Sequence, residues 1–281
     1  MASADHSKRA RLPDQAVSPI AAARPSPARF LEGRVGYAIG DVHGRADLLS
    51  ELLRHLEREL PKDQRKAGAP VLIFLGDYVD RGPQSRQVID ILVRLRQSGP
   101  WPITCLRGNH EEAMAGFLDD PLENRAWLTY GGDATLRSYG VMPANIRGTI
   151  PGKNRDQDAI VGLAQDLRAV MPASHRQFLD DLRDHVVLGD YCFVHAGIDP
   201  DKSLADQQSR DLLWIRNRFL LDPRPWSHRV VHGHTPTQAP FADGRRINVD
   251  TGAYASGRLS AVRLEGDAHR FVTSAAKQRG Q

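Results

Sequence analysis

Five times along this chain an apolar, strand-like run ends in a glycine beside a residue that can bind a metal ion. The blocks are Gly40-Asp41-Val42-His43-Gly44, Gly76-Asp77-Tyr78-Val79-Asp80-Arg81-Gly82, Arg107-Gly108-Asn109-His110-Glu111, His195-Ala196-Gly197 and His232-Gly233-His234-Thr235. In folds that alternate strand and helix, sites gather at the carboxyl ends of the strands. Loops from five strands can therefore converge although their residues are scattered along the sequence. This repetition constrains the fold more than any other feature of the chain.

The segments between the blocks agree with it. Val35 to Ile39 reads as a short strand, and Arg45 to Leu60 carries Leu48, Leu49, Leu52, Leu53, Leu56 and Leu60 at helical spacing. Val71 to Leu75 is a continuous apolar run between Pro70 and Gly76, the pattern of a buried strand. Ser85 to Gln97 repeats the helical spacing, Ile103 to Leu106 reads as a third strand, and Glu111 to Leu118 as a helix. Strand–helix alternation of this kind predicts parallel strands with helices packed on them. Residues 119–185 break the rhythm. Proline and glycine punctuate helix-like stretches at Ala159 to Val170 and Ser174 to Leu182, which predicts a helical insertion over one end of the sheet. Strand patterns return at Val186 to Leu188, Tyr191 to Val194, Arg229 to Val231, Arg246 to Val249 and Leu259 to Leu264, and their closeness suggests antiparallel pairing in a second sheet. The expected fold class is α/β (α+β): a two-sheet sandwich flanked by helices.

Length and charge bound the rest. With 281 residues the chain can bury a full core without disulfide staples. Its two cysteines, Cys105 and Cys192, each lie in an apolar run and read as buried thiols of a reducing, cytoplasmic protein. Residues 1–30 hold five basic side chains against two acidic ones, a net of +3 out of a total of +4. The body is therefore near neutral and shows no basic stripe with interleaved aromatics, so no specific nucleic-acid binding is expected. Residues 1–30 read as a disordered basic tail, 31–268 as one catalytic domain and 269–281 as a flexible tail. No apolar run is long enough to span a membrane.

The chemistry of the blocks is that of a metal centre. Asp41 and His43 are one residue apart, so a tight turn can aim both at one ion. Asp77 offers a carboxylate that can bridge two cations about 3.5–4 Å apart. Asn109 adds a carbonyl oxygen, and His195 and His234 add imidazole nitrogens. Such an oxygen and nitrogen set without thiolate suits two divalent ions, Mn foremost, with Fe, Zn or Ni also possible. Taken singly, each block has a duller reading as an ordinary turn, a surface ion pair or a core histidine; their coincidence after predicted strands favours ligands. His232 reads as a strand or supporting residue, Trp214 as packing, and Trp127 to Val141 either as a substrate rim or as a helix-to-helix turn.

In order and spacing these blocks resemble the phosphoprotein phosphatase family within the calcineurin-like metallophosphoesterases, over about residues 35–265. The resemblance implies an αββα sandwich and a role for each matching position. Asp41, His43 and Asp77 would hold a first metal; Asp77, Asn109, His195 and His234 a second. His110 would be the general acid, oriented by Asp80, with Arg81 and, from a weaker block, Arg216 as phosphate clamps. It also implies in-line attack on phosphorus by a hydroxide bridging the two metals, without a phosphoenzyme. The expected substrates are phosphoserine and phosphothreonine in proteins. The alternatives are a small phosphorylated substrate such as diadenosine tetraphosphate, or phosphotyrosine. Tyr254 would lie near the site by looser similarity. A non-catalytic phosphate-binding module on the same fold is disfavoured, because no ligand and no acid is missing.

Overall fold

A computed structural model of the protein, describing residues 27–59, 70–142 and 153–275, realises the predicted alternation of the first half closely. Strand β1 (Val35–Ile39), helix α1 (Ala46–Glu59), β2 (Val71–Phe74), α2 (Ser85–Ser98), β3 (Ile103–Cys105) and α3 (Asn109–Asp119) follow one another. β1, β2 and β3 are parallel, with Gly36 opposite Val71 and Leu72 opposite Ile103. Side chains alternate across a strand, and here that sorts two cores. Tyr37, Ile39, Leu72 and Phe74 pack with Leu48, Leu52, Val88 and Leu92 of α1 and α2. Ala38 and Ile73 point the other way, into a core shared with Tyr191, Phe193, Val231 and Ile247. The five leucines of α1 from Leu48 to Leu56 are all buried, and burying each such side chain is worth about 1.5–3 kcal/mol. Packing of this stripe, more than helix propensity, holds α1 in place.

The segment after α3 is helical in its described parts: a 3₁₀ turn (Arg125–Tyr130), α4 (Gly132–Ser138), α5 (Lys153–Val170) and α6 (Ala173–Asp180). Buried His175 bolts α6 onto α2, its Nδ1 2.8 Å from the Tyr139 hydroxyl and its Nε2 2.9 Å from Asp90 Oδ1. The second sheet holds β4 (His185–Leu188), β5 (Tyr191–Val194), β6 (Arg229–His232), β7 (Phe241–Ala242) and β8 (Arg246–Asn248), in the order β4-β5-β6-β8-β7. Between β5 and β6, α7 (Ser209–Trp214) and α8 (Asn217–Leu220) set Leu212 and Phe219 against Val194 and Val230 on its outer face. The chain closes with α9 (Ala253–Ser256), β9 (Arg258–Glu265) and β10 (Ala268–Ala275). The result is the expected sandwich of two mixed sheets between helices.

The structure corrects the strand assignments and both tails. β5, β6 and β8 run parallel, because the chain returns from β5 to β6 through α7 and α8 and not through a tight turn. In this sheet, antiparallel pairing among the described residues joins β4 to β5 and β7 to β8. The run Leu259 to Leu264 does not join the second sheet; β9 lies antiparallel on β1, giving a first sheet of order β10-β9-β1-β2-β3. Residues 269–275, expected as tail, pair with β9 along the whole of β10 and bury Val272 and Ser274. The body also begins before residue 31. Phe30 is buried between the sheets, and its N–H donates to Gly266 O at 2.7 Å. The rest of the two tail assignments, residues 1–26 and 276–281, lies outside the described residues.

Cys105 and Cys192 are unpaired and buried. Burial pushes each thiol up to about 12, far from the range of a reactive thiolate. Among the described residues no helix is long and apolar enough to cross a membrane.

Candidate metal centre

The loops that leave β1, β2, β3, β5 and β6 meet at one place. Val42 N and His43 N donate to Asp77 O at 3.0 and 2.8 Å, and Gly44 N to Tyr78 O at 2.9 Å, which zips the first two loops together. The non-glycine residues with left-handed backbone among those described are His43, Asp77, Asp80, Arg81 and His234, with φ between 42° and 71°. All five are residues that the sequence singles out. Left-handed backbone costs an ordinary residue about 1–2 kcal/mol, so the surrounding packing must impose it, as is common where side chains are aimed for chemistry.

Two glycines are required by close approach. A Cβ at Gly108 would stand 2.1 Å from Asp77 Oδ1, and one at Gly233 2.0 Å from Asp41 Oδ1. Gly233→Ala is therefore expected to displace the Asp41 carboxylate. Urea unfolding should show an overpacking cost of about 1–3 kcal/mol, and metal retained after dialysis should fall. Unchanged metal content in that variant would remove Asp41 from the ligand set.

The donors form two buried groups, His43–Asp77–His110 and Asp77–His195–His234, within each of which the ligand atoms lie no more than 4.8 Å apart. Asp77 belongs to both. Its Oδ2 is 3.4 Å from His43 Nε2 and its Oδ1 3.4 Å from His195 Nε2. Asn109 Oδ1 joins the second group, 2.9 Å from His195 Nε2 and 2.8 Å from His234 Nδ1. Asp41 is buried beside both groups and accepts the His234 N–H at 3.1 Å. The far nitrogens set the tautomers. His43 Nδ1 faces Val79 O and His195 Nδ1 faces Leu75 O, each at 2.8 Å, so each ring donates outward and turns a lone pair inward.

The electrostatics fit a cation. Burial pushes the Asp41 carboxyl well above the usual range, and the nearby Asp250 and Asp77 carboxylates add to it. Burial likewise lowers His43 to about 3 and His234 to about 2, and lowers His195 although Asp77 opposes it. Three neutral imidazoles, an amide oxygen and buried carboxylates thus turn lone pairs on one another. Bound positive charge satisfies such a set, and the protein's own guanidinium, that of Arg81, reaches it at the His43 side.

His110 differs from the other three imidazoles. Burial lowers it too, but the Asp77 charge and the bond to Asp80 outweigh burial, so it holds its proton more tightly than a free histidine. Its Nδ1 lies 2.7 Å from Asp80 Oδ2. That separates one imidazole suited to keep and pass on a proton from three suited to bind metal.

The arginines lie at the mouth. Arg81 places one guanidinium nitrogen 3.0 Å from His43 Nε2 and the other 2.9 Å from His110 Nε2, and stacks 4.9 Å from the Tyr254 ring centroid. Arg216 is exposed, 3.5 Å from Thr235 Oγ1, and its charge lowers His195 and His234 further. Tyr254 stands against His43 with ring centroids 5.4 Å apart. Trp214, read as packing, is 37% exposed beside His234. Trp127, in the stretch read either as a substrate rim or as a helix-to-helix turn, lies in the 3₁₀ turn, is buried and bonds to Asp80. His232 ends β6 and meets Gly233 O and Arg246, outside both donor groups.

Sequence reasoning gave no role to Glu111, although it lies inside a quoted block. Its carboxylate accepts four backbone N–H groups, from Asp77, Tyr78, Val79 and Gly108, at 2.7–3.2 Å. Asp250, buried near Asp41 and Asp77, was passed over as well. Its signal was weak: one acid two residues after a strand.

Comparison with known proteins agrees with this geometry. The profile of the calcineurin-like phosphoesterase family matches residues 37–268. A curated relative from Geobacillus sp. (strain WCH70), named bis(5'-nucleosyl)-tetraphosphatase PrpE [asymmetrical], is 29% identical over 80% of this chain and 88% of its own. Serine/threonine-protein phosphatase 1 of Salmonella typhimurium is 28% identical over 82% of this chain and 91% of its own. Among solved structures, one provisionally described as a diadenosine tetraphosphatase superposes with a TM-score of 0.57 at 19% identity, covering 90% of this chain and all of its own. At such identity the likeness speaks for the fold alone.

Proposed function

The chain belongs to the calcineurin-like phosphoesterase family, and on that premise we propose that it is a dinuclear-metal phosphatase of phosphomonoesters, with phosphoserine and phosphothreonine in proteins as its foremost substrates. One observation carries the reading: Asp77 is common to two buried donor groups, and His110, a member of the first, is held by Asp80 through its far nitrogen. Asp41, His43 and Asp77 would hold one divalent ion, and Asp77, Asn109, His195 and His234 the other. The donor set suits Mn foremost, then Fe, Zn or Ni. When bound, such a pair supplies Lewis-acid stabilisation of phosphoryl oxygens and lowers the pKa of water.

The chain's own residues supply the rest. Once Arg81, whose guanidinium lies 2.9 Å from His110 Nε2, turns to the phosphoryl group, that nitrogen would pass a proton to the departing oxygen, while Asp80 fixes the ring through Nδ1. Arg81 and Arg216 offer guanidinium charge to the phosphoryl oxygens. The centre is buried enough that these charges act in a medium of low dielectric, where they count for more than in water. The unpaired, buried cysteines support a reducing, cytoplasmic setting.

A second reading, hydrolysis of dinucleoside tetraphosphates, is favoured by the PrpE relative and by the exposed rings of Tyr254 and Trp214 at the mouth, since a nucleobase offers a face on which such rings stack. Turnover of phosphoseryl, phosphothreonyl and phosphotyrosyl peptides and of diadenosine tetraphosphate by Mn²⁺-loaded protein decides. The first two are expected to show the highest kcat/KM. A higher value for the dinucleotide moves the assignment to the second reading. No turnover of any of them, or of p-nitrophenyl phosphate, sinks both.

A further inference from the structure

Asp80 is fully buried, yet its carboxylate is densely satisfied. His110 Nδ1–H and Trp127 Nε1–H both donate to Oδ2, at 2.7 and 2.8 Å, and the Thr135 hydroxyl donates to Oδ1 at 2.7 Å. The Asp80 backbone N–H in turn donates to Thr135 Oγ1 at 2.8 Å. Trp127 and Thr135 come from the helical segment after α3, outside the five glycine blocks. That segment is docked on the loop as well: Arg81 N–H donates to Gly131 O at 3.2 Å, and a Cβ at Gly131 would stand 2.7 Å from Arg81 N. The indole cannot swing away. It packs on Phe117 with ring centroids 4.8 Å apart, and a Cβ at Gly132 would stand 2.5 Å from its Cε2.

A carboxylate in a buried site can rotate, and each orientation aims its lone pairs elsewhere. Indole nitrogen is a donor only, so Trp127 claims one lone pair of Oδ2. Thr135 claims Oδ1. What remains for His110 is one direction of approach, and that direction fixes both its tautomer and the aim of Nε2. We propose that Trp127 and Thr135 are positioning residues for the general acid: they lock the plane of the Asp80 carboxylate and thereby point His110 at the leaving oxygen. The helical segment thus has a positioning duty besides packing on α2 and α3. This rests on the phosphatase reading above.

The test uses leaving groups that need the acid to different degrees. Full-length Mn²⁺-loaded wild type, Thr135→Val, Trp127→Phe and Thr135→Ser are compared on phenyl phosphate, whose phenolate leaves poorly, and on p-nitrophenyl phosphate, whose phenolate leaves well. Supporting contacts of this kind are typically worth about 10–100-fold. The Val and Phe variants are expected to lose kcat on phenyl phosphate by about that factor and far less on p-nitrophenyl phosphate. KM and bound metal should stay as in the wild type. Thr135→Ser, which keeps the hydroxyl, should recover most of the loss. Equal losses on both substrates, no loss on either, or a serine variant no better than valine would overturn the proposal. A wild type that turns over neither ester would instead overturn the phosphatase reading.

Discussion

Replacing His110 by asparagine is expected to lower kcat on a phosphoseryl peptide by about 10²–10⁴-fold, the usual worth of a placed general acid, while both metal ions stay bound. Retention of both ions is what separates an acid from a ligand. His110 sits within reach of Asp77 and belongs to one of the two donor groups, so by distance alone it could be a ligand. Its electrostatic surroundings mark it as the acid. Asp80 and Asp77 together hold the proton on His110, whereas burial strips it from His43, His195 and His234. A ligand must present a lone pair and an acid must present a proton; the environments differ in that sense. Asparagine also leaves intact the backbone N–H of residue 110, which donates to Asp77 Oδ1 at 3.1 Å. Metal analysis after dialysis, run beside the kinetics, checks the assignment. Loss of one ion per chain together with activity would make His110 a ligand and leave the acid unassigned.

The sequence made the alternating half of the fold legible because the signals there are local. β1 and β2 are short apolar runs ended by glycine, and the leucines of α1 recur at helical spacing within one segment. The donor residues were legible for the same reason: each sits within a few residues of a strand end. What could not be read were pairings decided by distant chain. β9 is buried continuously from Leu259 to Val262, a pattern that would suit either sheet, and its register against β1 assigns it. β10 has few apolar residues, chiefly Phe271 and Val272, and becomes a strand because β9 is there to pair with. Phe30 belongs to the core because Gly36 leaves room for its ring: a Cβ there would stand 2.4 Å from it. The support of the site was hidden in the same way. Trp127 and Thr135 reach Asp80 across 47 and 55 positions. Trp127 to Val141 reads as a rim or as a turn, and nothing nearby in sequence says where the one indole donor points. Glu111 lay in plain view within a motif, but its partners are backbone amides, which leave no trace in a pattern of side chains.

That hidden support leads to the second large effect. Glu111→Gln is expected to destabilise the protein by about 2–6 kcal/mol and to empty the metal centre, though residue 111 is not itself a predicted ligand. The carboxylate is buried and all its capacity is used: Oε1 takes the N–H groups of Tyr78 and Val79, and Oε2 those of Asp77 and Gly108. Glutamine keeps the shape but turns an NH₂ donor toward one of these pairs. Two buried N–H groups then face a donor, and each unmet buried donor costs about 1–3 kcal/mol. In either orientation the damage falls on the loop that carries Asp77, which already holds the left-handed conformation at φ 53°. Asp77 is common to both donor groups, so its displacement loosens both ions at once. For a domain of this size each kcal/mol is worth about 2–4 °C in Tm. Thermal unfolding should therefore show a fall of roughly 4–24 °C, with metal content falling in parallel. A variant that melts like the wild type and keeps both ions would mean that the four amides find other acceptors, and that the loop carrying Asp77 is held by its zipper to the β1 loop alone.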